Sequence, residues 1–295
     1  MRAIDVHVHP QTQAYADASA SFLPAAMRMF KGKFAARPVE QIVADYRRDD
    51  CVAMAIAWDS AAGTGDRVFA NEELAALHQT YPDVFLPGWA MVDPWRGKAG
   101  LAEIEHAIRD LGLRGVKYQP PVQAFPPSDK HFYPIWDLCQ SLGAAVLIHS
   151  GTTAIGAGEP GGLGIKLEYA RPIPHLDSIA ADFPRLNIIA AHPGWPWTEE
   201  LIAVAIHKGN VSIDISGWGP KYMPPALKHD IQRRLQDKVM FGSDYPGWAP
   251  GQNCDEWEME GFKPGIIDKL FRDNATRILG LGDALAKAEA AKAAL

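Results

Sequence analysis

Cysteine is scarce in this chain. Cys51, Cys139 and Cys254 are the three in 295 residues. Their wide spacing excludes a CxxC redox or zinc pattern, and the odd count fits a reducing compartment. Cys51 and Cys139 have apolar neighbours, which predicts buried, inert thiols. A basic excess is also missing: 29 Lys and Arg face 35 Asp and Glu, a net charge of −6. That balance argues against a nucleic-acid partner. No apolar run approaches the roughly 18 residues of a membrane helix, so no membrane partner is expected. The N-terminus enters a strand with no signal-peptide region, so a cytoplasmic protein is expected. Long charge runs are absent, and 47% hydrophobic with 22% charged residues is the composition of an ordinary folded protein. The local basic group Arg28, Lys31, Lys33 and Arg37 is read as a solvated surface.

What is present begins at once. In MRAIDVHVHP, Ile4, Val6 and Val8 alternate with Asp5, His7 and His9. A period of two predicts a strand with His7 and His9 on one face. Two adjacent imidazoles pack poorly but ligate metals well. Pro10 cannot donate to a sheet, so the strand ends just after the pair.

The following stretch, Gln11 to Arg37, has no clear pattern beyond a short helical candidate near Phe22–Phe30. Such a long insertion is more often functional than idle. The chain then alternates. Strands are expected at 51–58, 84–92, 113–118, 144–148, 186–191, 210–215 and 238–242. Helices are expected at 38–49, 71–80, 98–111, 132–142, 174–182, 198–208, 224–236 and 264–279, with an Ala-rich helical tail to Leu295. With the first strand this makes eight strands, each followed by a helix. Most are short and wholly apolar, as strands buried on both faces should be. Repeated strand–helix units predict an α/β fold with a parallel sheet, and eight predict a closed (β/α)8 TIM barrel. A single domain over residues 1–295 is expected, with an insertion after strand 1 and a C-terminal helical extension. The Gly-rich segment Gly151–Gly164 lacks a helix directly after a GxGxxG pattern and is read as an active-site loop.

Catalytic residues of such a barrel lie at the C-terminal ends of its strands. Of ten histidines, six fall in expected helices or loops (His78, His106, His131, His175, His207, His229) and are read as surface or packing residues. The other four sit at strand ends: His7, His9, His149 and His192. Asp244 ends the last strand. Three imidazoles and a carboxylate suit one divalent cation, zinc first and manganese as the alternative, with an open position for water. The expected ligands are His7, His9, His149 and Asp244. A bound metal lowers the pKa of its water toward about 7. Asp244 then takes the water's proton, and His192 polarises a carbonyl or protonates a leaving group. The alternative is that His192 is a further ligand and a second ion binds. Lys117, on strand four, keeps a carboxylated-lysine bridge open, although a packing or substrate-contact role is the preferred reading.

The stretches IDVHVHP, LIHSGT, AAHPGWPW and FGSDYP resemble the amidohydrolase superfamily. They look most like its amidohydrolase-2 branch, which includes aminocarboxymuconate-semialdehyde decarboxylase and the resorcylate decarboxylases. Four motifs in order, over nearly the whole chain, carry this likeness. It implies that His7, His9, His149 and Asp244 match the family's metal ligands and that His192 matches its catalytic histidine. VDPWRGKA, RPIPHLD and ISGWGPKYMP further resemble a subgroup of 4-hydroxyphenyl-β-ketoacyl-CoA hydrolases. Gln119 departs from that subgroup, which often has histidine before the proline.

The resemblance implies an enzyme acting on a small-molecule substrate. The first expectation is a metal-dependent hydrolase in which activated water attacks a carbonyl, with β-ketoacyl-CoA C–C hydrolysis as the sharpest form. The second is a nonoxidative decarboxylase of an aromatic or muconate-type acid. The third is a barrel that binds metal or ligand without chemistry. Trp195, Trp197, Trp218 and Tyr245 are expected to line an aromatic pocket, with rigid loop packing the competing role of each. Arg171 is expected to pair with a substrate carboxylate or phosphate, with a structural salt bridge as the equal competitor. Relatives are commonly dimers, so a homodimer is the assembly implied.

Overall fold

Eight short segments rich in Ala, Val and Ile form the strands: β1 (Ala3–Val8), β2 (Cys51–Ile56), β3 (Phe85–Ala90), β4 (Gly115–Tyr118), β5 (Ala145–His149), β6 (Ile188–Ala191), β7 (Val211–Asp214) and β8 (Val239–Met240). The computed structural model describes residues 1–32 and 34–295. Lys33, one of the basic residues noted above, lies outside the described residues. The strands pair in parallel in chain order from β1 to β8. The two ends then meet. Val6 N–H donates to the Phe241 carbonyl at 3.1 Å, Asp244 N–H to His7 at 3.0 Å, and His9 N–H to Tyr245 at 2.9 Å. These bonds close the sheet into a (β/α)8 barrel. Nearly every strand residue is buried, because helices cover the outside while side chains fill the inside. Trp89 is fully buried, and its indole N–H donates to the Val6 carbonyl at 2.8 Å.

Helices follow the expected spacing at Val39–Arg48, Asn71–Thr80, Gly97–Arg109, Tyr133–Leu142 and Thr198–His207. Three expectations need trimming. The helix expected from 174 begins at Asp177, because Ile173 takes an extended conformation (φ −106°, ψ 122°) between two prolines. The helix expected over 224–236 covers Pro225–Ile231. The one expected over 264–279 is interrupted by wider turns at Lys269–Asp273 before resuming at Asn274–Leu279. Among the described residues three helices are additional, the shortest being Ala61–Thr64. Gln13–Ala18 is capped by the Thr12 hydroxyl, which accepts from Tyr15 N–H, and Pro250–Glu258 follows β8. All three cysteines are buried and free. No helix among the described residues is long and apolar enough to cross a membrane.

The insertion after β1 is stitched down at several points. Arg37 N–H donates to the Gln11 carbonyl at 2.7 Å, which brings its two ends together. The Arg37 guanidinium donates to Asp45 at 2.6 Å and to the Tyr245 hydroxyl at 2.5 Å. Ser21 holds Asp66, and Arg28 pairs with Glu159 in the Gly-rich loop. Asp66, Glu159 and Tyr245 all lie in loops that follow strands, so the insertion lies along the C-terminal mouth of the barrel. Arg28 and Arg37 therefore tie loops together, rather than forming a purely solvated patch. The tail helix Gly282–Ala293 sits at the other end, where Lys292 and the N-terminal amine both meet Asp50.

Candidate metal centre

The ends of β1 and β8 carry the centre of the site. One ligand atom each from His7, His9 and Asp244 lie within 4.8 Å of one another. His7 Nε2 is 3.5 Å from Asp244 Oδ1, and His9 Nε2 is 3.1 Å from the same oxygen. His7 is fully buried, whereas the side chains of His9 and Asp244 remain 20% and 26% exposed and open the site toward solvent. His192 stands over this group, its ring centroid 4.9 Å from that of His7 and 4.7 Å from that of His149. All five strand-end residues thus share one mouth. His149 is placed differently from the other three expected ligands. Its Nε2–H donates to the Thr152 carbonyl at 3.0 Å, and Nδ1 is its unpartnered nitrogen.

Second partners orient these rings. His7 Nδ1–H donates to Asp214 Oδ2 at 2.6 Å, so its Nε2 carries the lone pair. Asp214 also accepts from Ser216 Oγ at 2.9 Å and Ser216 N–H at 2.8 Å, so both of its oxygens are engaged. His192 Nδ1–H donates to the Ser216 carbonyl at 2.9 Å, leaving its Nε2 free. His9 Nδ1 meets the Tyr15 hydroxyl at 2.5 Å. Asp5 binds Ser243 through both its backbone N–H (2.8 Å) and its hydroxyl (2.5 Å), and takes the Tyr46 hydroxyl at 2.8 Å. That clamp fixes the turn that presents Asp244.

Close packing leaves no slack here. A methyl group on Gly242 would collide with Asp214 Oδ1 and lie 3.0 Å from His7 Cβ. His192 and Asp244 both adopt positive φ, 69° and 58°. Such backbone is costly for residues with a side chain, about 1–3 kcal/mol each, and it clusters at functional sites.

Burial sets the charge states. It pulls His7, His149 and His192 below the ordinary histidine value, with nearby Lys117 adding to the effect. Burial alone would raise the Asp244 carboxyl, but the His9 hydrogen bond and the surrounding imidazoles hold it well below the usual carboxylate range. Asp214 is pushed up to about 6 by burial, against the pull of His192 and Ser216. Burial lowers Lys117 to about 8, opposed by Asp214 and Asp244.

The donor set fits a divalent cation on one observation. His7 Nε2 and His149 Nδ1 are buried nitrogens with no hydrogen-bond partner. Such orphaned groups are costly, and a cation drawing on their lone pairs removes the cost. Neutral imidazoles beside an ionised carboxylate are also the protonation states that ligation requires.

The residues expected to bind substrate fall elsewhere. Tyr245 is 4% exposed, packs on Tyr46 and accepts from Arg37, so it belongs to the wall beneath the mouth. Arg171 is held by Glu200 through a paired contact (2.6 and 3.0 Å) on the exposed rim. Trp195 and Trp197 line a rim cleft of about 580 Å³ together with Glu199, Glu200 and Pro224. Trp218 is half-buried against the core. The aromatic rings beside the centre are Tyr15 and Trp58, with centroids 5.5 and 6.2 Å from His9. Nothing in the sequence of the insertion singles out Tyr15. Asp214 did carry a signal, as an acidic residue closing a short buried strand.

A family model described as amidohydrolase matches residues 4–281. The curated 2-amino-3-carboxymuconate-6-semialdehyde decarboxylase of Dictyostelium discoideum is 24% identical over 243 residues. That match covers 72% of this chain and 66% of the relative, just under two thirds of its length. Among solved structures, an uncharacterized TIM-barrel protein from Bordetella bronchiseptica superposes with a TM-score of 0.77 at 24% identity, covering 98% of this chain and 100% of the other. A 5-carboxyvanillate decarboxylase from Novosphingobium aromaticivorans, complexed with manganese and 4-hydroxy-3-methoxy-5-nitrobenzoic acid, superposes with a TM-score of 0.72 at 19% identity. That match covers 95% of this chain and 96% of the other. At these identities the two structures share the fold.

Proposed function

This chain belongs to the amidohydrolase family, and from that premise we propose that it is a metal-dependent, nonoxidative carboxy-lyase acting on an aromatic or muconate-type acid. The observation that carries the proposal is the meeting of His7, His9 and Asp244 beside His192, whose Nδ1 is committed to the Ser216 carbonyl and whose Nε2 is left free. The curated relative and the manganese-bound structure, both decarboxylases by name, weigh toward carbon dioxide release. His7, His9, His149 and Asp244 would hold one divalent ion, zinc or manganese.

When bound, such an ion polarises the oxygen atoms of the substrate. The protein supplies the rest. Asp214 holds His7 in the tautomer that offers Nε2. Tyr15 and Trp58 pack around His9 and keep that side of the centre dry. In decarboxylation the bond from the substrate carbon to the carboxylate carbon breaks. Its electron pair stays on the substrate carbon, which takes a proton. His192 Nε2, free because Nδ1 is committed to the Ser216 carbonyl, is the atom assigned to take a proton from solvent and pass it to that carbon, returning to the neutral ring.

A second reading keeps the same residues and is favoured by one observation. Burial keeps His192 neutral, as a base acting on water requires. Hydrolysis of the C–C bond between the carbonyls of a β-ketoacyl thioester is its sharpest form. The test offers the zinc- or manganese-loaded protein hydroxybenzoates, 5-carboxyvanillate and β-ketoacyl thioesters in deuterated water. Carbon dioxide released with one deuteron on the vacated carbon supports the carboxy-lyase. Cleavage of the β-ketoacyl thioester at its C–C bond, giving a carboxylic acid and a shorter acyl thioester without carbon dioxide, replaces it with the hydrolase, and no turnover with either metal overturns both.

A further inference from the structure

Lys117 on β4 and Gln119, the residue just past its C-terminal end, each bury a polar atom that finds no partner. Lys117 is 2% exposed and Gln119 is 6% exposed. Lys117 Nζ and Gln119 Oε1 are both buried without a hydrogen bond. Tyr118, between them, packs outward on Phe125 and Trp136. Lys117 acts on His7, His149 and His192 and so faces the centre, and strand alternation, carried one residue past the strand end, turns Gln119 to that side. Neither is needed to ligate the ion or to orient a ligand. Among the described residues they offer what the rest of the centre lacks: an unused cationic donor beside an unused neutral acceptor. The charge balance points the same way. With a dication on the ligand set, Asp214 and Asp244 leave the ammonium of Lys117 uncompensated.

We propose that Lys117 and Gln119 anchor the substrate, the ammonium taking a carboxylate and Gln119 Oε1 accepting a hydrogen from a hydroxyl or amine on the same molecule. The substrate class is then a hydroxy- or amino-substituted carboxylic acid. This rests on the reading of the mouth as a substrate site, but not on the loss of carbon dioxide. An ammonium has three donors and no acceptor, so it selects an anion over its neutral amide. An amide oxygen left without a donor penalises any ligand that cannot supply one.

The test is calorimetric binding of 2-hydroxybenzoate, 2-hydroxybenzamide and benzoate to the zinc-loaded full chain, for wild type, Lys117→Met, Lys117→Gln and Gln119→Leu. Zinc content and thermal midpoint are measured for each. Wild type should prefer 2-hydroxybenzoate to the amide. Either Lys117 variant should weaken 2-hydroxybenzoate by roughly ten- to a hundredfold while changing the amide by no more than about threefold. Gln119→Leu should weaken 2-hydroxybenzoate but not benzoate. Equal weakening of acid and amide, no weakening, or loss of zinc from the Lys117 variants would overturn the proposal and make Lys117 a counter-charge to the carboxylates. Failure of wild type to prefer the acid overturns it too. If the lysine variants do not fold, Gln119→Leu decides: an unchanged preference for the hydroxyl overturns the pairing. Carbon dioxide assays that fail while this selectivity holds would sink only the carboxy-lyase reading.

Discussion

Asp214 and His7, on opposite sides of the β8 strand end, are joined by a buried 2.6 Å hydrogen bond from imidazole Nδ1–H to carboxylate. The bond settles which nitrogen of His7 faces the centre. Losing such an outer partner typically costs ten- to a hundredfold in metal affinity. Asp214→Asn should therefore retain the fold and bind zinc about ten- to a hundredfold more weakly, as read by competition with a chromogenic chelator. Unchanged affinity would mean that Asp214 serves packing alone.

His192 touches the centre but, unlike His149, carries no buried ring nitrogen left without a partner. His192→Asn should keep about one equivalent of metal by elemental analysis. Turnover should fall about 10²- to 10⁴-fold, the usual worth of a positioned proton carrier. Metal lost along with activity would instead make His192 a ligand.

Gly242 lies against Asp214, Ser216 and His7 with no room for a methyl group. Gly242→Ala should cost about 1–3 kcal/mol, the usual penalty of overpacking, and weaken metal binding at the same time. Gly209→Ala, with nothing within 4 Å of the added carbon, is the control and should change neither. Urea unfolding and metal titration of the two variants side by side check this.

Burial pushes the Asp5 carboxyl up to about 7, from an ordinary 3.8, although Ser243, Tyr46 and His7 N–H all pull it down. A carboxyl raised in the folded chain contributes its stability fully below about 4 and loses it as pH climbs through about 7. Wild type should therefore lose stability relative to Asp5→Asn across that window, by at most roughly 4 kcal/mol. Paired denaturant curves at pH 4.5, 6 and 7.5, on metal-free protein, measure the gap. A gap that stays constant would show that Asp5 ionises normally.

The barrel was legible because its signals are local. Short apolar runs alternating with amphipathic helices carry their own period, and eight units in sequence leave little choice of closure. Asn71–Thr80 matches its expected span residue for residue. His7, His9, His149, His192 and Asp244 were legible for a related reason, since a parallel barrel gathers all of its strand ends at one face. The rim was not legible. Tyr245 reads as a pocket aromatic until Arg37, 208 positions away, is seen to bind its hydroxyl. Arg171 reads as an anion receptor until Glu200 is found in its grasp. Such roles depend on which loops meet above the strands, and loop paths leave no period in the sequence.

By itself, then, the sequence determined the strand–helix order, the closed parallel sheet and the ring of histidines at its mouth, because side-chain alternation and helix period act over a few residues. Only the tertiary structure decided that Asp214 governs the tautomer of His7, that Tyr15 from the insertion reaches His9, and that His149 turns Nε2 to Thr152. It alone left Lys117 and Gln119 buried and unpartnered. These are matters of hydrogen-bond direction and charge balance among groups far apart in the chain, and they come into being only when the barrel closes and excludes the water that would otherwise satisfy each group separately.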